Sequence, residues 1–235
     1  MELKNKRIIV TGGSDGIGRH ICLKLAAVGT RLAILGRDAD RLAAVEAECV
    51  AAGASEAIGI ACDIQNPDAI SKAVEQVTAA FGGLDILINN AGIWHKTGPL
   101  DEIPPQLLQA TVQTNLTGLM QITQAAIPAL RANDEGIILN VVSKSGVVAQ
   151  AGQSVYTATK YGVRGFTEVL KADEENTGVR VGGVYQSGTN TGMFSKAGED
   201  VPNHIFTEPD DLADVVVFVL SRPPKLWIHD IRIEL

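Results

Sequence analysis

The sequence predicts one α/β domain with a doubly wound, seven-stranded parallel sheet, and three observations lead to this fold class. Short β-branched runs alternate with longer segments of helical periodicity along the whole chain. Its 235 residues are enough for one large domain with a substantial core. No proline-rich linker, low-complexity tract or internal repeat interrupts the alternation. Strands that alternate with helices form right-handed βαβ units, which place helices on both faces of a parallel sheet.

The strands and helices follow in turn from local pattern. Apolar residues recur at helical spacing between the strand-like runs, for example Ile17, Ile21 and Leu25, which predicts amphipathic crossover helices. The least regular stretch covers residues 187–209, and a loop of that length inside a compact domain is expected to be functional or mobile. The runs predicted as strands are Arg7–Val10, Arg31–Leu35, Ala57–Ala61, Leu84–Asn89, Gly136–Val142, Arg180–Tyr185 and Leu226–Ile233.

Composition excludes several classes of partner. A net charge of -7 argues against nucleic acid, because binding to a phosphate backbone needs an excess of Lys and Arg. The first residues are charged rather than apolar, so no secretory signal is expected, and no apolar stretch approaches the length of a membrane span. The cysteines Cys22, Cys49 and Cys62 are scattered and are predicted to be buried, with no metal site. These features favour a cytoplasmic protein that binds neither nucleic acid nor membrane.

A glycine-rich turn follows the first strand directly and opens a helix. Its sequence is TGGSDGIG, and the residues predicted to contact a dinucleotide are Gly12, Ser14, Asp15, Gly16, Ile17 and Gly18. Glycines allow the tight turn and a close approach of the backbone, while the helix N-terminus offers free N–H groups to a pyrophosphate. The alternative is a plain strand-to-helix turn. The context of a strand before and a helix after favours a Rossmann-type nucleotide site.

Three further motifs, taken with the turn, resemble the short-chain dehydrogenase/reductase family in order and spacing. Asn89-Asn90-Ala91-Gly92 closes the fourth strand, Ser143 follows the fifth, and Tyr156 with Lys160 begins the next helix. The resemblance extends from about residue 7 to residue 233. It implies an enzyme that interconverts a ketone or aldehyde and an alcohol, using NADP(H) or NAD(H).

The resemblance assigns the catalytic set to Ser143, Tyr156, Lys160 and Asn115. A carbonyl that accepts hydride needs a proton donor, and Tyr156 has one in its hydroxyl. Lys160 lies one helical turn later, where its ammonium is expected to lower the tyrosine pKa. Ser143 would orient the substrate oxygen, with Ser145 as the rival. Asn115 would hold a water in a proton relay from Lys160; alternatively its side chain bonds to its own helix.

The resemblance also assigns the remaining cofactor contacts. Asp63 is expected to bind the adenine amino group, although it could instead cap the helix near Pro67. The side chains of Tyr156 and Lys160 are expected to contact the cofactor as well. The other predicted contacts are Asn89, Ala91, Gly92, Thr189 and Thr191.

The end of the second strand predicts a preference for NADP(H), with NAD(H) also accepted. Relatives that bind NAD carry an acidic residue where this chain has Gly36, and that charge would repel a 2′-phosphate. Arg37 follows and can bind phosphate in a bidentate way, unless it is only a solvated loop residue. Asp15 is a counter-signal, because some NADP-binding relatives carry a basic residue there.

The substrate is predicted only as a small carbonyl or alcohol, with a 3-oxoacyl thioester, a 3-hydroxy acid, a steroid-like ketone and a sugar alcohol all open. Lys144 is compatible with an acidic substrate or with solvent, and His95 with a second acid, a substrate contact or solvent. The sequence departs from the family at Ser187-Gly188, where Pro-Gly is usual, and at its C-terminus, which lacks a glycine-rich end. A homo-oligomer, tetramer or dimer, is expected. The competing functions are a non-catalytic NADP(H)-sensing regulator on the same fold and a sugar-nucleotide epimerase or dehydratase.

Overall fold

The computed structural model describes residues 2–133 and 135–234, which contain one seven-stranded, all-parallel sheet in the order β3-β2-β1-β4-β5-β6-β7. This confirms the predicted fold class. The strands are β1 (Arg7–Thr11), β2 (Arg31–Gly36), β3 (Glu56–Ala61), β4 (Ile86–Asn89), β5 (Gly136–Val141), β6 (Val179–Gln186) and β7 (Asp230–Ile233).

Helices cover both faces of the sheet and close two apolar cores. One core lies beneath the first, second and last helices, and the other beneath the third, fifth and sixth. All three cysteines are free and buried, as predicted; Cys22 and Cys49 lie within helices, and Cys62 directly follows β3. The α-helices are α1 (Gly16–Ala27), α2 (Ala39–Ala52), α3 (Pro67–Phe81), α4 (Pro105–Val112), α5 (Leu119–Arg131), α6 (Ser154–Asp173), α7 (Met193–Lys196) and α8 (Pro209–Leu220).

Two predicted strands begin later than the sequence pattern suggests. The last run was expected to pair from Leu226, but pairing begins only at Asp230. Trp227 explains the difference, because its indole N–H donates to the carbonyl of Val181 at 3.1 Å and holds the segment by a side chain instead. The fourth strand begins at Ile86 rather than Leu84, whose carbonyl accepts from Asn133 at 2.6 Å.

Strand order places a crevice between β1 and β4, where the direction of winding reverses. Ligands bind at the carboxyl ends of the strands on either side of such a switch point. The glycine-rich turn after β1 and the segment after β4 therefore meet at one edge of the sheet. The loops after β2, β3, β5 and β6 reach the same edge.

No helix within residues 2–133 and 135–234 has the length and apolar character needed to cross a bilayer.

An ion pair at the opposite edge fixes the start of β1 against β4. The Asp85 carboxylate, 6% exposed, accepts from Arg7 Nε and from Arg7 Nη2, both at 2.8 Å. Burial alone would raise the pKa of Asp85, but the hydrogen bonds and charge of Arg7 outweigh it and lower the pKa below 3.8. The carboxylate therefore contributes stability above its ordinary pKa, and that contribution is lost as the pH falls through the lower folded value.

Replacing Asp85 with Asn is expected to destabilise the fold by about 3 kcal/mol at pH 7, because it leaves the Arg7 guanidinium without its counter-charge. Urea unfolding at pH 7 and in acid measures the effect. The difference from the unmodified protein should shrink in acid. Glu175→Gln, at an exposed position, is the control and should change stability by under about 0.5 kcal/mol. An Asp85→Asn variant as stable as the unmodified chain at pH 7 would contradict this role.

Candidate active site

A cavity of about 960 Å³ opens at the carboxyl edge of the sheet. It runs from the glycine-rich turn to the start of α6, so the nucleotide residues and the tyrosine predicted from the motifs share one space. The predicted residues that line it are Gly12, Ser14, Asp15, Gly16, Ile17, Arg37, Asp63, Ala91, Gly92, Tyr156, Lys160 and Thr191.

The glycines of the turn are required by its geometry. Gly12 has a φ of +63°, and a Cβ there would lie 2.9 Å from the Cα of Ala91. Gly16 has a φ of +49° and begins α1 after Asp15, whose carboxylate accepts from the Gly16 N–H at 2.7 Å. Gly18 does not line the cavity, contrary to its predicted contact: a Cβ there would lie 2.3 Å from the Gly12 carbonyl oxygen. Its role is close packing of α1 against the turn.

Asn89 is also displaced from its predicted role, because its side chain points into the core rather than the cavity. Its amide donates to Thr123 Oγ1 at 2.9 Å and to Asn140 Oδ1 at 2.8 Å. The next residue, Asn90, lines the cavity and donates to the carbonyls of Thr11 and Gly12 at 2.9 and 3.2 Å. Successive strand residues face opposite ways, so only one of the two asparagines can brace the turn.

Of two further predicted cofactor contacts, Asp63 lines the cavity and Thr189 does not. Thr189 is 5% exposed and pairs in an isolated bridge with Thr207, outside the cavity lining, so it anchors the loop of residues 187–209 instead of meeting the cavity. Asp63 does line the cavity. Its alternative role as a helix cap is wrong, because Asn66 caps α3 by accepting from two backbone N–H groups.

Tyr156 and Lys160 lie on the first turns of α6 with both side chains buried. The Lys160 ammonium lies 5.6 Å from the centre of the Tyr156 ring and donates to the Val141 carbonyl at 3.3 Å. Ser143 precedes them with a φ of +136°, a strained conformation for a residue other than glycine. Its hydroxyl accepts from the Ser145 N–H at 3.1 Å, and Ser145 itself bonds to Gln153.

Burial controls the pKa values of this pair, and it reverses one expectation. Desolvation raises the pKa of Tyr156 to about 12, and a hydrogen bond with Ser143 lowers it only in part. Desolvation also lowers the pKa of Lys160 to about 8. The expected lowering of the tyrosine pKa by the ammonium is therefore not found. The phenol is protonated throughout the neutral range, as a proton donor must be.

Asn115 lies in a π-helical turn, Gln113–Gly118, between α4 and α5. Its amide oxygen accepts from the Ile93 N–H at 2.8 Å, and its amide nitrogen donates to the Ile93 carbonyl at 2.9 Å. The amide nitrogen also donates a longer bond to Thr159 Oγ1, at 3.5 Å. The alternative that Asn115 bonds to its own helix is thus wrong: it clamps the segment after β4 beside the cavity. Such π turns occur often at functional sites.

His95 is buried, not solvated, with 1% of its surface exposed. Its Nε2 lies 3.3 Å from the Tyr156 N–H, and its Nδ1 lies 3.0 Å from the Lys96 carbonyl. In this arrangement Nε2 accepts from the Tyr156 N–H, and Nδ1 faces a carbonyl oxygen. His95 therefore satisfies one of the free N–H groups of the first turn of α6 and fixes the backbone of Tyr156.

Comparison with known proteins identifies the chain. The family profile described as short chain dehydrogenase matches residues 6–202. The chain belongs to this family. A D-beta-hydroxybutyrate dehydrogenase from Cupriavidus necator is 33% identical over 95% of this chain and 93% of its own length.

Solved structures agree with this family. A short chain dehydrogenase from Burkholderia cenocepacia, in complex with NADP, is 34% identical, with a TM-score of 0.87 over 100% of this chain and 98% of that one. A 3-ketoacyl-(acyl-carrier-protein) reductase from Brucella melitensis, complexed with NADH, is 28% identical, with a TM-score of 0.87 over 98% and 96%. The predicted class is confirmed: this short-chain dehydrogenase is an NAD(P)-dependent oxidoreductase acting on CH–OH groups.

Sequence reasoning missed two contacts that tie the loop of residues 187–209 to this short-chain dehydrogenase's cavity. Lys196 forms an ion pair with Asp15, which Arg41 also contacts at 3.2 Å. Glu199 accepts from the Trp94 indole N–H at 2.6 Å. Both contacts join segments far apart along the chain, so local pattern gives no signal for them. By contrast, the ion pair of Asp38 and Arg41, 3.2 Å apart at the start of α2, could be predicted from their spacing of three residues.

Proposed function

We propose that this protein interconverts a ketone or aldehyde and an alcohol with NADP(H) as its preferred cofactor. The observation that carries the proposal is that Tyr156 and Lys160 line the same cavity as the glycine-rich turn. A proton donor and a dinucleotide turn thus share one enclosed space, as hydride transfer to a carbonyl requires.

Each catalytic residue has one task in this proposal. Tyr156, protonated at neutral pH, donates its hydroxyl proton to the carbonyl oxygen as that oxygen gains negative charge. Ser143, whose hydroxyl lowers the pKa of Tyr156, orients the same oxygen. The nicotinamide ring, when bound, supplies the hydride that forms the new C–H bond. Lys160, with a pKa of about 8, returns a proton to the phenolate, and Asn115 holds the wall beside it.

The residues around the turn fit the dinucleotide. Gly12 and Gly16 line the cavity with backbone alone, and N–H groups at the start of α1 would be available to hold a pyrophosphate. Asp63, Ala91, Gly92 and Thr191 complete the lining.

A preference for NADP(H) is supported by the surroundings of Gly36. Gly36 brings no acidic side chain to this end of the cavity, and a Cβ there would lie 2.7 Å from the Ser14 hydroxyl, which would have to move. Arg37 and Arg41 line the same end of the cavity. Asp15 is already paired with Arg41 and Lys196, which offsets the negative charge that argued against a phosphate site. The relative from Burkholderia cenocepacia carries NADP.

We expect kcat/KM with NADPH to exceed that with NADH by at least about tenfold, since a charge-assisted contact contributes about 1.5–3 kcal/mol. Arg37→Ala should lower this ratio by lowering kcat/KM with NADPH alone, and added salt should have the same effect. Steady-state kinetics with both cofactors measures the ratio. Arg222→Ala, remote from the cavity lining, is the control. Equal efficiency with NADH in the unmodified protein would contradict the assignment.

A panel of ketones, aldehydes and alcohols, assayed by nicotinamide absorbance with both cofactors, tests the function itself. Turnover of any carbonyl compound supports an enzyme. Tight NADPH binding without turnover of any member would instead favour the cofactor-sensing regulator. The relatives named above extend the panel to 3-hydroxy acids and 3-oxoacyl thioesters.

We further propose a homo-oligomer in a reducing cytoplasm. Free buried cysteines suit a reducing compartment. Exposed apolar side chains on two neighbouring helices suit a subunit contact: Val169 and Tyr161 on α6 are 61% and 41% exposed, and Met120 on α5 is 41% exposed.

A further inference from the structure

An aromatic wall stands against the proton donor. The Trp94 ring meets the Tyr156 ring edge-on, with centroids 4.6 Å apart, and it meets the Phe194 ring in the same way, with centroids 5.3 Å apart. Ile93 and Met193 line the cavity beside this wall. The wall beside the phenol is therefore apolar, although the polar side chain of Gln186 also lines the cavity.

A carboxylate contacts this wall. Glu199 is half-buried, accepts from the Trp94 indole at 2.6 Å and lies 3.4 Å from the Thr97 N–H. The Trp94 side chain contacts both Glu199 and the Tyr156 ring, so one side chain links the carboxylate to the phenol. At physiological salt the Debye length is about 8 Å, so salt does not fully screen a charge that one side chain separates from the phenol.

The cations that line the cavity are committed elsewhere. Among the described lining residues, Lys196 and Arg41 pair with Asp15, and Arg37 lies at the Gly36 end. Lys160 bonds to the Val141 carbonyl as part of the catalytic pair. Neither His95 nor Lys144 is among the described lining residues.

We infer that Glu199 is a specificity-determining residue and that the site takes uncharged apolar or aromatic carbonyl compounds and rejects anionic ones. The inference rests on the proposed carbonyl reduction at Tyr156. A carboxylate on the substrate would lie against an apolar wall that contacts another carboxylate, and no basic side chain has been identified to pair with it. The hydroxybutyrate named for the Cupriavidus necator relative is such an anion, so the two proteins would differ in substrate charge.

Matched pairs of compounds test the inference. Methyl benzoylformate and ethyl acetoacetate are compared with benzoylformate and acetoacetate, using NADPH and the full chain. Each ester should exceed its acid in kcat/KM by at least about tenfold, which corresponds to about 1.4 kcal/mol. Acids turned over as well as or better than the esters would overturn the inference while leaving carbonyl reduction intact. Turnover of none of the four, nor of any other carbonyl compound, would overturn the proposed function instead.

Glu199→Gln isolates the charge, because the amide oxygen can still accept from Trp94. The ester-to-acid ratio is expected to fall at least about fivefold, mainly through better use of the acids. Asp200→Asn is the matched control: it removes a like charge from the next, exposed residue and should leave the ratio unchanged. A ratio unaffected by Glu199→Gln, or lowered equally by Asp200→Asn, would contradict the role of Glu199.

A binding measurement separates recognition from chemistry. In the Tyr156→Phe background with NADPH bound, the quenching of tryptophan fluorescence by each compound gives its dissociation constant. Esters should bind more tightly than acids, and Glu199→Gln should narrow the gap. Equal affinities for ester and acid before the Glu199 change would count against the inference.

Discussion

Tyr156→Phe is expected to lower kcat for carbonyl reduction by at least about a hundredfold, the usual contribution of a positioned general acid. The change removes the hydroxyl that donates the proton and keeps the ring. The ring's edge-on contact with Trp94, at 4.6 Å between centroids, should survive, as should the backbone bond to His95. Steady-state rates with a carbonyl substrate and NADPH measure the loss.

Cofactor affinity is the control for this variant. NADPH should bind the Tyr156→Phe variant within about threefold of the unmodified protein, since its glycine turn and arginines are unchanged and threefold is well under 1.4 kcal/mol. If the variant keeps more than about a tenth of the rate, the loss is under about 1.4 kcal/mol of barrier and Tyr156 is not the proton donor.

Lys160→Met is expected to abolish turnover and at the same time to stabilise the fold at pH 7. Lys160 is 5% exposed, and burial lowers its pKa from 10.5 to about 8. The ammonium is therefore destabilising at pH 7, by about 3 kcal/mol for a shift of this size. Methionine has a similar length and no charge, so its gain in the free energy of unfolding should approach that figure.

The pH dependence of this stability difference follows from proton binding. Between pH 8 and 10.5 the unfolded chain holds a proton on Lys160 that the folded chain has released, so the unmodified protein gains stability from this residue as the pH rises. Urea unfolding should show the advantage of the variant at pH 7 and its loss near pH 10.5. Lys72→Met, at an exposed position on α3, should shift stability by under about 0.5 kcal/mol. A Lys160→Met variant that is destabilised at pH 7 would show that the ammonium has stabilising partners.

The fold was predictable because each strand and helix carries its own pattern. Apolar spacing at Ile17, Ile21 and Leu25 locates α1, and the alternation of strands and helices determines the parallel order. The last strand was predicted too long because Leu226 to Ile228 are as apolar as a strand. In the structure Trp227 uses its indole, rather than its backbone, to reach β6.

The site was predictable where residues are adjacent along the chain and obscure where they are not. The glycine turn and the pair Tyr156 and Lys160 are local motifs. Glu199 and Trp94 are 105 residues apart, and Lys196 and Asp15 are 181 apart, so their contacts exist only after folding.

The effect of burial on a side-chain pKa is also not predictable from local sequence. The spacing of Tyr156 and Lys160 suggested that the ammonium controls the phenol. In the folded chain, desolvation has the larger effect on both pKa values. The direction of a side chain at a strand end is equally hidden: Asn89 and Asn90 were both expected to shape the cavity, and of the two it is Asn90 that lines it.

The central claim is that this cavity transfers hydride from NADPH to a carbonyl carbon while Tyr156 protonates the oxygen. The most direct measurement uses NADPH carrying deuterium at the transferred position of the nicotinamide ring, with a carbonyl compound that the protein reduces. Mass spectrometry of the alcohol should show one deuterium on the carbinol carbon for each NADP⁺ formed, with the label lost from one face of the ring only. An alcohol without deuterium, or NADPH consumed without alcohol, would contradict the claim.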